Sequence, residues 1–176
     1  QAVLWQLRVP RVLLAMGIGA SLAAAGAALQ GLFRNPLADP GLIGITAGGS
    51  VAVVLALALV SMGWISGHPL LLIAFGFPGA LLAVWLAYRL GSSRAENAAG
   101  GTATLLLAGV GINALAFAAT GFLLAVLDDQ SLRNFSFWTL GSLSGARWAL
   151  LLPALPLLVL PPILLARMGG SLNLMA

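Results

Sequence analysis

Few side chains in this chain could do chemistry, and their positions narrow the choice. The 176 residues carry eight Lys+Arg, four Asp+Glu, one His and no cysteine. Without cysteine there is no disulfide and no thiolate nucleophile. The single histidine, His68, stands between Gly67 and Pro69 in a loop-forming stretch. One imidazole there reads as a solvated side chain before it reads as a haem or metal ligand. Every ionisable residue lies at or beyond the end of a long apolar run. Proton-coupled transporters place Asp, Glu or His inside the membrane, so no proton relay is expected here. Neither a carbonyl filter nor a charged ring suggests an ion channel. There is no nucleophile, base and metal set, and no phosphate-cradling Gly-Lys-Ser/Thr loop. The expectation is therefore no catalytic residue, no metal and no cofactor in this chain. A passive pathway, driven by energy from elsewhere, fits this inventory.

The elements that must hold such a pathway are set by composition. The chain is 61% hydrophobic and 7% charged, with mean hydropathy +1.07. Soluble domains are nearer a quarter charged, so this is an all-α integral membrane protein, a multi-span helical bundle. Twenty-two glycines agree, since glycine is frequent in membrane helices. The pI of about 11.5 reflects arginines at the ends of the apolar runs rather than a basic stripe, so nucleic acid is not an expected partner; membrane lipid is. The chain opens at Gln1 without a methionine and stops inside Leu172-Asn173-Leu174-Met175-Ala176. It reads as a piece of a longer protein, a single partial transmembrane domain over 1–176.

The polar octet Arg34-Asn35-Pro36-Leu37-Ala38-Asp39-Pro40-Gly41 separates two long uncharged runs. Asn-Pro and Asp-Pro initiate turns, and each proline drives the preceding residue from helical geometry. The pattern predicts that the chain leaves the membrane here, turns stiffly and re-enters. Spans are predicted over about 11–33, 41–62, 70–88, 102–127 and 148–166, each about long enough for a ~30 Å hydrocarbon core. Trp5 beside Arg8 and Arg11 marks a membrane–water boundary. Gly17, Ser21 and Ala25, at i, i+4, i+8, predict close packing of the first helix against neighbours. Pro78 is a kink candidate in the third. In the fourth, Gly109, Asn113, Ala116 and Thr120 form a small and polar stripe. It is either a pathway lining or interhelical glue, and single Asn and Thr residues favour glue. Residues 130–147 are too polar to span and predict a short surface helix, with Phe135, Phe137 and Trp138 toward the apolar boundary. Four prolines, Pro153, Pro156, Pro161 and Pro162, must bend the fifth run, and neighbours must satisfy the carbonyls they free. Loop charges divide four against four, so the positive-inside rule gives no orientation.

Several stretches resemble the permease subunits of ABC importers for iron-siderophores, haem and cobalamin, the FecCD-type family. They are Leu7-Arg8-Val9-Pro10-Arg11, Gly26-Ala27-Ala28-Leu29-Gln30, Phe33 through Gly44, Leu105 through Val110, and Phe137 through Leu143, in family order. The resemblance covers essentially the whole chain. It implies the type II importer permease fold, with this chain holding about five of ten helices, roughly the second to the sixth. It further implies a homodimer in the bacterial cytoplasmic (inner) membrane. The other implied partners are two ATPase subunits that carry the ATP and Mg, and a periplasmic or lipoprotein substrate-binding protein. By matching position, Arg8 and Arg11 become the docking arginines for acidic residues of the binding protein. Asn35 and Leu37 become the cytoplasmic gate, with Thr102 as a second gate hydroxyl; Ala103 is apolar where some relatives have Ser. The same match puts the Arg34–Asp39 turn in the cytoplasm and Arg8 and Arg11 outside. Asp128 through Leu143 is more similar to haem permeases than to cobalamin ones, so haem is the expected ligand, with a ferric siderophore or cobalamin as the alternative. Outside the family, the competing expectations are an ATP-independent secondary transporter or facilitator and a non-transporting scaffold.

Overall fold

The computed structural model describes residues 2–92 and 101–167. All regular structure among these is helical. A π-helical turn, Leu4–Arg8, runs directly into α1 (Val9–Phe33). A 3-10 turn, Pro40–Ile43, precedes α2 (Ile45–Ser61), followed by α3 (Pro69–Ser92), α4 (Gly101–Val126), α5 (Asp129–Leu140) and α6 (Trp148–Arg167). Arg94, Glu96 and the Leu172–Ala176 ending lie outside the described residues. The described helices form two compact units, residues 40–140 and the segments 1–39 with 141–176.

Among the described residues, four helices are long and apolar enough to cross a membrane, those of α1, α3, α4 and α6. The second apolar run gives a shorter helix than its sequence suggests. Its first residues fold as the 3-10 turn, and Gly44, at φ +94, breaks the direction before Ile45. The 17 residues that remain span roughly 26 Å at 1.5 Å each. The third helix is longer than its apolar run. Arg89 lies in its last turn, where a cation suits the helix C-terminus, with its guanidinium 5.0 Å from the centre of the Trp85 ring.

In the unit of residues 40–140, α2 is the buried hub, contributing Ala47, Val53, Val54, Ala56, Leu57 and Ala58 to the core. It crosses α3 at two glycines. A Cβ added at Gly48 would lie 2.6 Å from the Gly79 carbonyl oxygen and against Ala83, and one added at Gly79 would lie 2.6 Å from the Gly48 carbonyl oxygen and against Ala52. The two backbones are thus in direct contact, which only glycine permits. Further along α3, Gly91 meets Leu105 of α4, where an added Cβ would stand 2.8 Å from the Leu105 Cα. The aromatic residues of α5 do more than face a boundary. Trp138 reaches into the α2–α3 pair beside Gly49 and Gly76, at 3.9 and 3.6 Å from where their Cβ atoms would be, while Phe137 stays 70% exposed.

In the other unit α1 packs on α6. Ser21 makes the decisive contact. Its hydroxyl lies 2.7 Å from the Leu158 carbonyl oxygen and 2.8 Å from that of Gly17 one turn back. Leu158 stands four residues before Pro162, and proline has no N–H to offer that carbonyl. Ser21 is therefore the neighbour that satisfies it. Gly17 gives Leu158 its room, with an added Cβ 3.1 Å from Cδ1. Gly19, Gly26 and Gly31 would meet nothing within 4 Å, so the small residues of α1 pack on one face only within this unit.

Gly48→Ala and Gly79→Ala are each expected to cost about 1–3 kcal/mol, as overpacking does. Gly19→Ala, in open space, should be neutral or gain up to about 1 kcal/mol from helix propensity. Thermal unfolding of the purified variants in one detergent checks this; a Gly48 variant as stable as the Gly19 variant would refute the contact.

Candidate functional site

The Arg34–Asp39 turn is held by more than its one proline, Pro36. Arg34 caps α1 in the left-handed region, at φ 49, an uncommon conformation for a residue with a side chain. Its N–H donates to the Gly31 carbonyl at 3.2 Å, and the Asn35 N–H donates to the Gln30 carbonyl at 3.1 Å. The Asn35 side-chain oxygen then accepts the Leu37 N–H at 2.9 Å, an Asx turn, and the Asn35 carbonyl accepts the Ala38 N–H at 3.1 Å. From inside α1, Gln30 Nε2 donates to the Pro36 carbonyl at 2.9 Å. Phe33 and Ala38 are buried at either side, while Leu37 is 83% exposed. So Asn35 and Leu37 belong to one device: the first ties the turn and the second is displayed on it. Thr102 lies in the first turn of α4, and its side chain is outside the described set. Ala103 next to it is exposed.

The stripe on α4 is engaged in packing. Asn113 Nδ2 donates to the Gly41 carbonyl at 2.9 Å and Gly109 sits against Leu42 and Ile43, with an added Cβ 2.9 Å from the Ile43 Cα. Both hold the 3-10 turn against α4. Thr120, buried, donates to the Ala116 carbonyl of its own helix at 2.8 Å. Asn113 and Gly109 thus contact another element, whereas the hydroxyl of Thr120 bonds within α4. No buried side-chain polar atom among the described residues lacks a partner.

Arg8 and Arg11 stand one turn apart at the start of the first helix and both are exposed. Arg8 has no side-chain hydrogen bond among the described residues, whereas Arg11 Nη2 donates to the Ser144 carbonyl at 3.1 Å. Nearby, Trp148 Nε1 donates to the Trp5 carbonyl at 2.9 Å, and the two indoles lie 6.0 Å apart. His68 has a structural task. Its Nδ1 accepts the Leu70 N–H at 3.2 Å, capping α3, with Pro69 at the first helical position. Among the described residues no group of three or more His, Cys, Asp or Glu could hold a metal.

One cap escaped the sequence analysis. Asp128 stands directly before α5 and caps it. Its Oδ2 accepts the N–H groups of Gln130 (3.1 Å) and Ser131 (3.3 Å), and its Oδ1 accepts the Ser131 hydroxyl at 2.6 Å. The Asp-x-x-Ser spacing ahead of an amphipathic segment was the available signal. The Ser131 hydroxyl foremost, with the backbone N–H groups, holds the Asp128 carboxyl below its ordinary 3.8. A lowered folded-state pKa stabilises above the ordinary value and is lost as pH falls through the folded one. Amide-exchange protection at the start of α5 should therefore hold at neutral pH and decline below about pH 4. Asp128→Asn should keep the cap geometry and remove that pH dependence, and Asp128→Ala should lose protection at every pH. Hydrogen exchange read by mass spectrometry distinguishes the three.

The described residues thus form apolar membrane-length helices joined by glycine crossings, with a braced polar turn after α1. The chain belongs to the FecCD transport family, whose model matches residues 1–176. It is 43% identical over 169 residues to the hemin transport system permease protein HmuU of Yersinia pestis, covering 96% of this chain and 49% of that one. With the cobalamin import system permease protein BtuC of Halobacterium salinarum it shares 37% over 175 residues, 99% of this chain and 45% of the relative. An inward-facing structure described as a metal-chelate type ABC transporter matches with TM-score 0.85 at 29% identity, over all of this chain and 53% of that one. The fold is thus that of an ABC-transporter permease. The chain spans about half the length of the curated relatives it matches.

Proposed function

We propose that this chain is part of the permease subunit of an ATP-driven importer that carries haem across the bacterial cytoplasmic membrane. The observation that carries the ligand reading is the 43% identity to a hemin permease across nearly the whole chain, against 37% to a cobalamin permease. A ferric siderophore or cobalamin is the second reading, favoured by the same family membership. The subunit works as a homodimer with two ATPase subunits, which bind the ATP and Mg, and receives its ligand from a periplasmic or lipoprotein-anchored binding protein.

Arg8 and Arg11 meet carboxylates of that binding protein. Two exposed guanidiniums one turn apart support this role, because they pair with carboxylates bidentately and steer encounter. Asn35, Leu37 and Thr102 form the cytoplasmic gate. The support here is an exposed leucine on a turn that Asn35 ties at its base: a gate residue must be held in place yet reach the pathway. Gly109, Asn113 and Thr120 shape a wall of the pathway through the packing they make, without binding ligand. Selectivity resides in the binding protein.

The test is uptake into proteoliposomes holding the complete permease, its ATPase and its binding protein. Haem and a ferric siderophore are offered separately, with and without ATP. The expected result is ATP-dependent haem entry. Siderophore entry alone would keep the mechanism and overturn the ligand, and entry indifferent to ATP would favour a facilitator. In the same system, reversing Arg8 and Arg11 to Glu should weaken binding-protein docking at least tenfold in low salt and less in high salt, since exposed charges are screened. Equal losses at both salts would point to misfolding instead of lost charge pairing.

A further inference from the structure

Where α1 and α6 begin, the chain forms a cleft of about 560 Å³ that neither the docking nor the gate assignment uses. It is lined by Val3, Gln6, Leu7, Arg147, Trp148 and Ala149. Three features of these residues are chemically specific. The wall is apolar: Val3 is 61% and Leu7 40% exposed, although both are large hydrophobic side chains. Arg147, at the lip, is exposed and has no side-chain hydrogen bond among the described residues; only its backbone carbonyl is used, by Leu150 and Leu151. Finally, this end of the unit has Arg8, Arg11 and Arg147 and no acidic residue, since the one acid in its two segments, Asp39, follows the far end of α1. Its uncompensated charge is positive.

The cleft lies where two membrane-crossing helices start, beside the Trp5–Trp148 pair. Indoles favour the headgroup level of a bilayer. An occupant must therefore be anionic at one end, apolar along its side and resident at the membrane surface. We infer that this cleft seats one anionic phospholipid, its phosphate on Arg147 with Gln6 as a second donor, and its acyl chain along Val3, Leu7 and Ala149. A guanidinium fits phosphate oxygens bidentately. The alternative occupant, an acidic segment of a protein partner, would be served by the charge but leaves the apolar wall unexplained. The inference rests on the membrane placement of these helices and is independent of which ligand the permease carries.

The complete transporter would be purified in neutral detergent and titrated with phosphatidylglycerol or phosphatidylcholine, with bound lipid counted by native mass spectrometry. Phosphatidylglycerol should occupy one site per subunit with at least tenfold preference over phosphatidylcholine. Arg147→Gln should bring the two lipids within about twofold, by loss of the charge-assisted pairing. Arg147→Lys should keep part of the preference, as a point charge still attracts phosphate. Ala149→Trp, which fills the cleft and leaves the arginine, should remove the site as well. Glycerophosphate without acyl chains should bind too weakly to count; equal binding of it would assign a soluble phosphate site and overturn the lipid. The proposal also fails if Arg147→Gln leaves the lipid preference intact, or if that variant alters binding-protein affinity and not lipid.

Discussion

The contact between Gly48 and Gly79 is the constraint on which the 40–140 unit depends. In a bilayer the hydrocarbon tails are as apolar as leucine, so no hydrophobic force drives helices together. What remains is van der Waals contact at short range, and that grows as backbones approach. Two glycines facing each other bring the carbonyl of each against the Cα of the other. Once α2 and α3 are fixed so closely, Gly49 and Gly76 leave a notch that the Trp138 indole fills, and α5 acquires its place. Gly91 and Gly109 extend the same logic to α4, the first against Leu105 and the second beneath the Pro40–Ile43 turn.

The α1–α6 unit solves a different problem by related means. Four prolines sit inside α6, and each removes a donor from the helical ladder. An unsatisfied carbonyl in lipid costs several kcal/mol. Ser21 answers for the one that Pro162 frees. Its hydroxyl must come within hydrogen-bonding distance of another helix's backbone, which the missing side chain of Gly17 allows. Proline in one helix and a glycine–serine pair in the other are thus a matched set. Removing the proline would leave the serine with its own Gly17 carbonyl; removing the serine would leave a carbonyl without a donor.

At the turn after α1 the same economy of backbone groups yields a rigid display. Gln30, Arg34 and Asn35 between them make most of the hydrogen bonds seen in a segment that cannot continue the helix. Leu37 takes no part in this with its side chain and stands exposed. Four backbone N–H groups of this segment, those of Arg34, Asn35, Leu37 and Ala38, are hydrogen-bonded, while one apolar side chain stays exposed. The chain's membership of the FecCD transport family gives that exposure a transport context.

Much of this was legible in the residues alone. Membrane embedding followed from composition, because no soluble fold hides so much apolar surface with so few charges. The turn chemistry of Asn35-Pro36 and Asp39-Pro40 and the polar contact made by Asn113 follow from local stereochemistry or from single side-chain types. Tertiary structure decided the rest. Nothing in the one-dimensional pattern says that Gly48 meets Gly79 while Gly19 meets nothing, since both are glycines in apolar helices. Nor does it pair Ser21 with the carbonyl that Pro162 frees, 137 residues from Ser21 along the chain. The second apolar run lost its first residues to a 3-10 turn because α4 offers Gly109 and Asn113 as a seat for it. Hydropathy reports whether a segment prefers lipid; which backbone it touches depends on close contacts between helices, and those exist only once the helices have been brought together.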